Sequence, residues 1–115
     1  DDLKFFKGNF MSWVTLVIAG IFEIFWAIGL KYTDGFSKLI PSLFTIFSML
    51  ISIWLLSISL KTLPLGTAYA VWVGIGTVGT VIAGVIFFND SVNLLKIISI
   101  VFIILGIIGL KITAS

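Results

Sequence analysis

The chain has 115 residues, 60% of them hydrophobic and only 10% charged, with a formal net charge of +2 from seven lysines against five acids. A water-soluble domain of this length needs far more polar surface to cover its core, so the composition describes one compact membrane domain with very short loops. There is no Cys, His or Arg, which excludes disulfides, Cys/His zinc sites, thiol chemistry and imidazole acid–base chemistry; the lysines are spread over termini and loop edges, which excludes a nucleic-acid patch, and no cofactor or metal is expected.

Residues 1–10 mix polar and aromatic side chains and read as an N-terminal extension, with Met11 as a candidate start. Lys4 and Lys7 with Leu3, Phe5 and Phe6 fit a segment resting on a membrane surface; a disordered leader fits equally well. A signal peptide is not expected, because the next run is long, carries Glu23 and lacks a small-residue cleavage site.

Residues 11–115 are expected to form a single four-helix domain. Four apolar stretches follow, at about 13–31, 39–60, 67–88 and 94–112. At about 1.5 Å rise per residue each can cross a hydrocarbon core of about 30 Å. The connections carry breakers: Asp34-Gly35 in the first, Pro64 and Gly66 in the second, Asn89-Asp90-Ser91-Val92-Asn93 as the third. Neighbours joined this tightly are antiparallel, which predicts an all-α integral membrane protein built as a four-helix bundle. Lys31, Lys38 and Lys96 fall on one side; Lys61 and Lys111 fall on the other, joined by Lys4 and Lys7 if the extension counts. The positive-inside rule therefore gives almost no orientation. A chain that inserts both ways up and pairs with an inverted copy has this signature, and four short helices leave little interior in which to hide a charge, so a dimer is expected.

Glu23 is the one ionisable residue within Trp13–Leu30, and a carboxylate near the bilayer centre costs roughly 2.5–3.5 kcal/mol on insertion scales. Charge-dependent chemistry inside the membrane must run through it. On a helix Glu23 shares a face with Leu16, Ala19, Gly20, Trp26, Ala27 and Leu30. Ala19 and Gly20 leave room beside the carboxylate, and Trp26 offers an aromatic wall and an indole N–H. Otherwise Trp26 is a packing or lipid-facing aromatic.

The second stretch carries Thr45, Ser48, Ser52 and Ser59 on one face. Small hydroxyl residues commonly mediate helix packing in membranes, but Ser52 is at the depth to hydrogen-bond Glu23 or a bound cation, with Ser48 the next candidate. The third opens with Tyr69 and Trp72, three apart, which would make either an aromatic box for a small cation or part of an interfacial belt. Gly74-Ile75-Gly76-Thr77-Val78-Gly79 is a literal G-x-G-x-x-G, but no strand, soluble βαβ unit or downstream acid accompanies it, so the dinucleotide reading is rejected. In a membrane helix these glycines permit close packing and a bend. The fourth stretch is apolar apart from Ser99, which shares a face with Gly106 and suggests helix–helix contact.

This pattern resembles the small multidrug resistance transporters over about residues 11–113. The resemblance rests on Ala19-Gly20-Ile21-Phe22-Glu23, Trp26 and Leu30-Lys31-Tyr32, on Lys61-Thr62-Leu63-Pro64-Leu65-Gly66-Thr67-Ala68-Tyr69-Ala70-Val71-Trp72, and on Gly106-Ile107-Ile108-Gly109-Leu110-Lys111. Trp26, where the multidrug branch typically has glycine, makes it most similar to the guanidinium exporter subtype. The resemblance implies an antiparallel, dual-topology homodimer in the bacterial plasma membrane that exchanges guanidinium for protons. It implies Glu23 as the shared proton and substrate site, completed by Trp26, Ser52, Tyr69 and Trp72, with Gly20 against it and Gly74, Gly76 and Gly79 as the hinge. Val73 departs from the subtype, which usually has a hydroxyl residue after the tryptophan, and residues 1–10 have no counterpart.

In such a dimer two Glu23 side chains face one cavity and titrate as a coupled pair. Guanidinium, planar with forked N–H donors, suits a carboxylate. Cation and proton competing for the same carboxylates give exchange, provided the empty deprotonated state rarely crosses; crossing needs a bistable bundle. No nucleophile–base pair is present, so an enzyme is not expected. The rivals are a broad-range exporter of quaternary ammonium ions, a four-helix dual-topology ion channel, and a packing subunit without transport.

Overall fold

The computed structural model describes residues 2–113, with side chains from Phe10 onward. Four helices make up the chain: α1 (Asp2–Thr33), α2 (Leu39–Ser59), α3 (Leu65–Phe88) and α4 (Leu94–Thr113). Each contains a stretch long and apolar enough to cross a membrane, that of α1 running Phe10–Thr33. Residues 2–10 therefore continue the first helix rather than forming a separate element. The expected membrane-surface role of Lys4 and Lys7 falls on side chains outside the described residues.

Local chemistry explains the helix ends. The Thr33 hydroxyl donates to the Leu30 carbonyl at 2.7 Å and accepts the Phe36 N–H at 3.2 Å. Asp34, Gly35 and Phe36 then turn the chain through three successive left-handed conformations, φ 50°, 69° and 65°. Only Gly35 adopts such a φ freely; Asp tolerates it and Phe does so at a cost. Pro41 sits in the first turn of α2, where its missing N–H costs nothing. α3 begins one residue after Pro64 and ends on Asn89 in the left-handed region, with the Asp90 N–H returning to the Gly84 carbonyl at 3.1 Å. Asn93 caps α4, its Oδ1 accepting the Lys96 N–H at 2.8 Å.

α1 packs along both α2 and α3, α2 and α3 touch little, and the backbone of α4 approaches that of α3 alone. The helices thus lie in the order α2–α1–α3–α4, flattened to 50 × 36 × 18 Å. The four antiparallel-linked membrane helices expected from sequence are present, with α1 central and the faces of one subunit left open. The buried residues of α2 are Ser42, Thr45, Ser48, Ser52, Leu56 and Ser59, while Leu39, Ile40, Phe47, Leu50 and Trp54 point outward. This inside-out pattern is what a membrane demands. Lipid solvates apolar side chains as well as a protein core does, and small hydroxyl residues let helix backbones approach. Trp13, Leu16, Ala19, Val71 and Trp72 form the apolar centre where α1 meets α3. The Ser12 and Thr62 hydroxyls hydrogen-bond each other, tying the start of the α1 span to the α2–α3 turn.

Candidate functional site

Three helices converge on the middle of α1. Glu23 is half-buried on its inner face. Its carboxyl lies directly on Gly76 of α3, where a Cβ would overlap Glu23 Cδ and Oε1. Only glycine allows α3 to come this close. The same register seats Ile75 against Gly20 and Ile24 against Gly79. α1 and α3 therefore interlock through alternating glycines and side chains, with Glu23 as one of the knobs. Glu23 Oε2 is buried and has no hydrogen-bond partner among the described residues. Leaving a buried carboxylate oxygen unpaired is costly.

Around this carboxylate the predicted residues take distinct places. Ser52 is fully buried. Its hydroxyl donates to the Ala19 carbonyl at 2.7 Å and accepts the Trp72 Nε1–H at 2.9 Å. This chain ties α3 to α2 and α2 to α1 one helical turn before Glu23. Ser52 thus spends its only proton on Ala19 and not on Glu23, as its depth had suggested; one hydroxyl lone pair remains for a cationic N–H. Tyr69 stands beside Trp72, ring centroids 5.5 Å apart and planes at 55°, with its own ring exposed. Trp26 lies one turn beyond Glu23, and its indole N–H is buried without a partner among the described residues. Ser48 is buried on the α2 stripe, four residues before Ser52.

The α3 glycines act here as seats. α3 is a continuous α-helix through them; Gly74 receives Ile107 of α4, and Gly76 and Gly79 receive Glu23 and Ile24 of α1. Val73 is partly buried and packs against the apolar cluster.

Two residues were not read as partners from sequence. The Ala19 carbonyl is the acceptor for Ser52, a backbone role that no side-chain pattern reveals. Thr45 is fully buried against Gly29, its hydroxyl unpartnered among the described residues. The hydroxyl stripe pointed to Thr45 as a packing residue, but not to Gly29 as its seat.

The Glu23 carboxyl on Gly76 thus lies one helical turn from the Trp72–Ser52–Ala19 hydrogen-bond chain and one turn from the Trp26 indole on α1.

The sequence model of the family described as Small Multidrug Resistance protein matches residues 11–103. Among curated relatives, the protein named Guanidinium exporter of Proteus vulgaris is 53% identical over 104 residues, covering 90% of this chain and 100% of its own. Its namesake in Escherichia coli is 53% identical over 103 residues, covering 90% and 98%. That of Salmonella typhimurium is 54% identical over 104 residues, covering 90% and 99%. The chain belongs to the Small Multidrug Resistance family and is a multi-pass membrane transporter, not an enzyme.

Proposed function

We propose that this protein is a proton-coupled antiporter that exports guanidinium and small guanidinyl cations, with proton and cation competing for Glu23. The observation that carries the reading is the Glu23 carboxylate, seated on Gly76 in a membrane-spanning helix with a buried oxygen that has no partner among the described residues. The relatives' name, Guanidinium exporter, supports the choice of cation. A guanidinium fork meets the carboxylate in-plane. The indole faces of Trp26 and Trp72 and the ring of Tyr69 flank it, and the free lone pair of Ser52 accepts one N–H. The Trp26 indole N–H, unpartnered among the described residues, remains available as a donor. Ser48 lines the α2 side, and Gly20 keeps the α1–α3 approach close.

The unit that works is an antiparallel homodimer, its two copies inserted in opposite orientations in the bacterial plasma membrane, the location that the relatives' organisms support. The transport domain is residues 11–115, with residues 1–10 an N-terminal extension. Two Glu23 groups then share a cavity and titrate together. α4 has no buried residue within the subunit, and it supplies the contact between copies. Movement of α1 across the glycines Gly74, Gly76 and Gly79 exchanges the two facings.

The test is uptake in liposomes holding purified protein, with a proton gradient. Guanidinium should accumulate uphill, a bulky quaternary ammonium ion should not, and Glu23→Gln should abolish the flux. Uptake of both cations would move the protein to broad-range multidrug export. Flux that only runs downhill would make it a channel.

A further inference from the structure

A second feature lies on the far side of α1. A groove of about 330 Å³ runs between α1, α3 and α4, lined by Trp13, Val14, Val17, Ile75, Ile107 and, at its end, Lys111. Val14 is about 180° round the helix from Glu23, so the groove does not belong to the cation site. It stays open because the backbone of α4 leans on α3 and not on α1. Its walls are apolar, and within a membrane its natural occupant is an acyl chain. Lys111 sets the head group: its Nζ lies over the Trp13 ring, 5.6 Å from the centroid, at the groove's mouth and at the helix end where a lipid phosphate lies.

The two ends of the molecule differ in charge. Lys31, Lys38 and Lys96 share their end with Asp34 and Asp90, whereas Lys61 and Lys111 have no acid near them among the described side chains. Lys111, uncompensated at the end of an apolar groove between membrane helices, is complementary to an anionic lipid. We propose that this groove binds an anionic phospholipid, one acyl chain between α1 and α4 and the phosphate at Lys111.

The experiment uses the full chain in liposomes carrying a trace of phosphatidylglycerol or phosphatidylcholine with a photoactivatable group on the acyl chain. The phosphatidylglycerol probe should label groove peptides of α1, α3 and α4 about fivefold more than the phosphatidylcholine probe, the preference one surface lysine commonly confers. Lys111→Gln should erase that preference and Lys111→Arg should keep it. Val17→Trp should remove groove labelling by both probes, with helix content by circular dichroism unchanged. Equal labelling by the two probes, or a preference that survives Lys111→Gln, would overturn the proposal. So would efficient disulfide cross-linking between copies carrying Val17→Cys, which would make the occupant a second subunit. None of these readouts depends on which cation is transported.

Discussion

The two halves of this subunit are packed by different rules. α1, α2 and α3 bury Leu16, Ala19, Ser52, Val71 and Trp72 and close on one another through glycine seats and a three-helix hydrogen-bond chain. α4, the most apolar span, buries nothing and touches α3 through Ile103 and Ile107 at Gly74. In a membrane, hydrophobicity does not drive a helix inward; small residues and hydroxyls do. α2 has them facing α1 and is held. A Cβ at Gly106 or Gly109 of α4 would meet no atom within 4 Å among the described residues.

The most direct way to break this comparison is at the packed end. Glu23→Gln keeps the shape of the side chain on Gly76 and removes its charge, so guanidinium exchange should fall to the protein-free background while thermal stability in detergent holds. Persistent flux would detach function from the packed half altogether. Next in size, Gly76→Val drives a side chain into the Glu23 carboxyl. Exchange should drop by about a hundredfold, the scale of effect that a misplacement of about 1 Å produces at a reacting group. Gly66→Val, where no neighbour lies within 4 Å, is the control and should leave exchange near normal.

Ser52→Ala is expected to be milder. It leaves the Trp72 indole N–H and the Ala19 carbonyl without their partner, which costs about 1–3 kcal/mol. The melting midpoint should fall, and guanidinium affinity should weaken by one to two orders of magnitude if Trp72 then turns. Unchanged melting would mean that the chain of hydrogen bonds does not hold the helices together.

Proton competition should appear as a pH effect of known sign. Cation binds the deprotonated carboxylate, so apparent affinity scales with the deprotonated fraction. Lowering the pH should weaken guanidinium binding by up to about tenfold per pH unit for one competing proton, and raising it should restore binding until it levels off; calorimetric titration across a pH series reads this directly. The smallest effect belongs to α4. Gly106→Ala meets no atom within the subunit, so the subunit's helix content and melting should not change. Subunit exchange followed by fluorescence transfer should quicken a few-fold if α4 pairs with another copy. No change in exchange would assign the dimer contact to another face.

Much of this was readable in the chain itself. Apolar runs long enough for a bilayer define the four spans, because lipid permits little else. Glu23 stands out because it is the only acid inside a span, the lysines of the spans lying near helix ends, and the 3.6-residue period groups it with Ala19, Gly20 and Trp26. The same period gathers the hydroxyls of α2 on one face, and that face is the buried one. Periodicity says which residues share a face, however, and not which helix that face meets. The tertiary structure alone decided that Ser52 donates to the Ala19 backbone, that Gly76 is the seat of the carboxylate, that the helices lie in a row with α1 at the centre, and that α4 stands apart. Each of these depends on the distance between backbones, set by glycines and hydroxyls pairing across helices far apart in sequence.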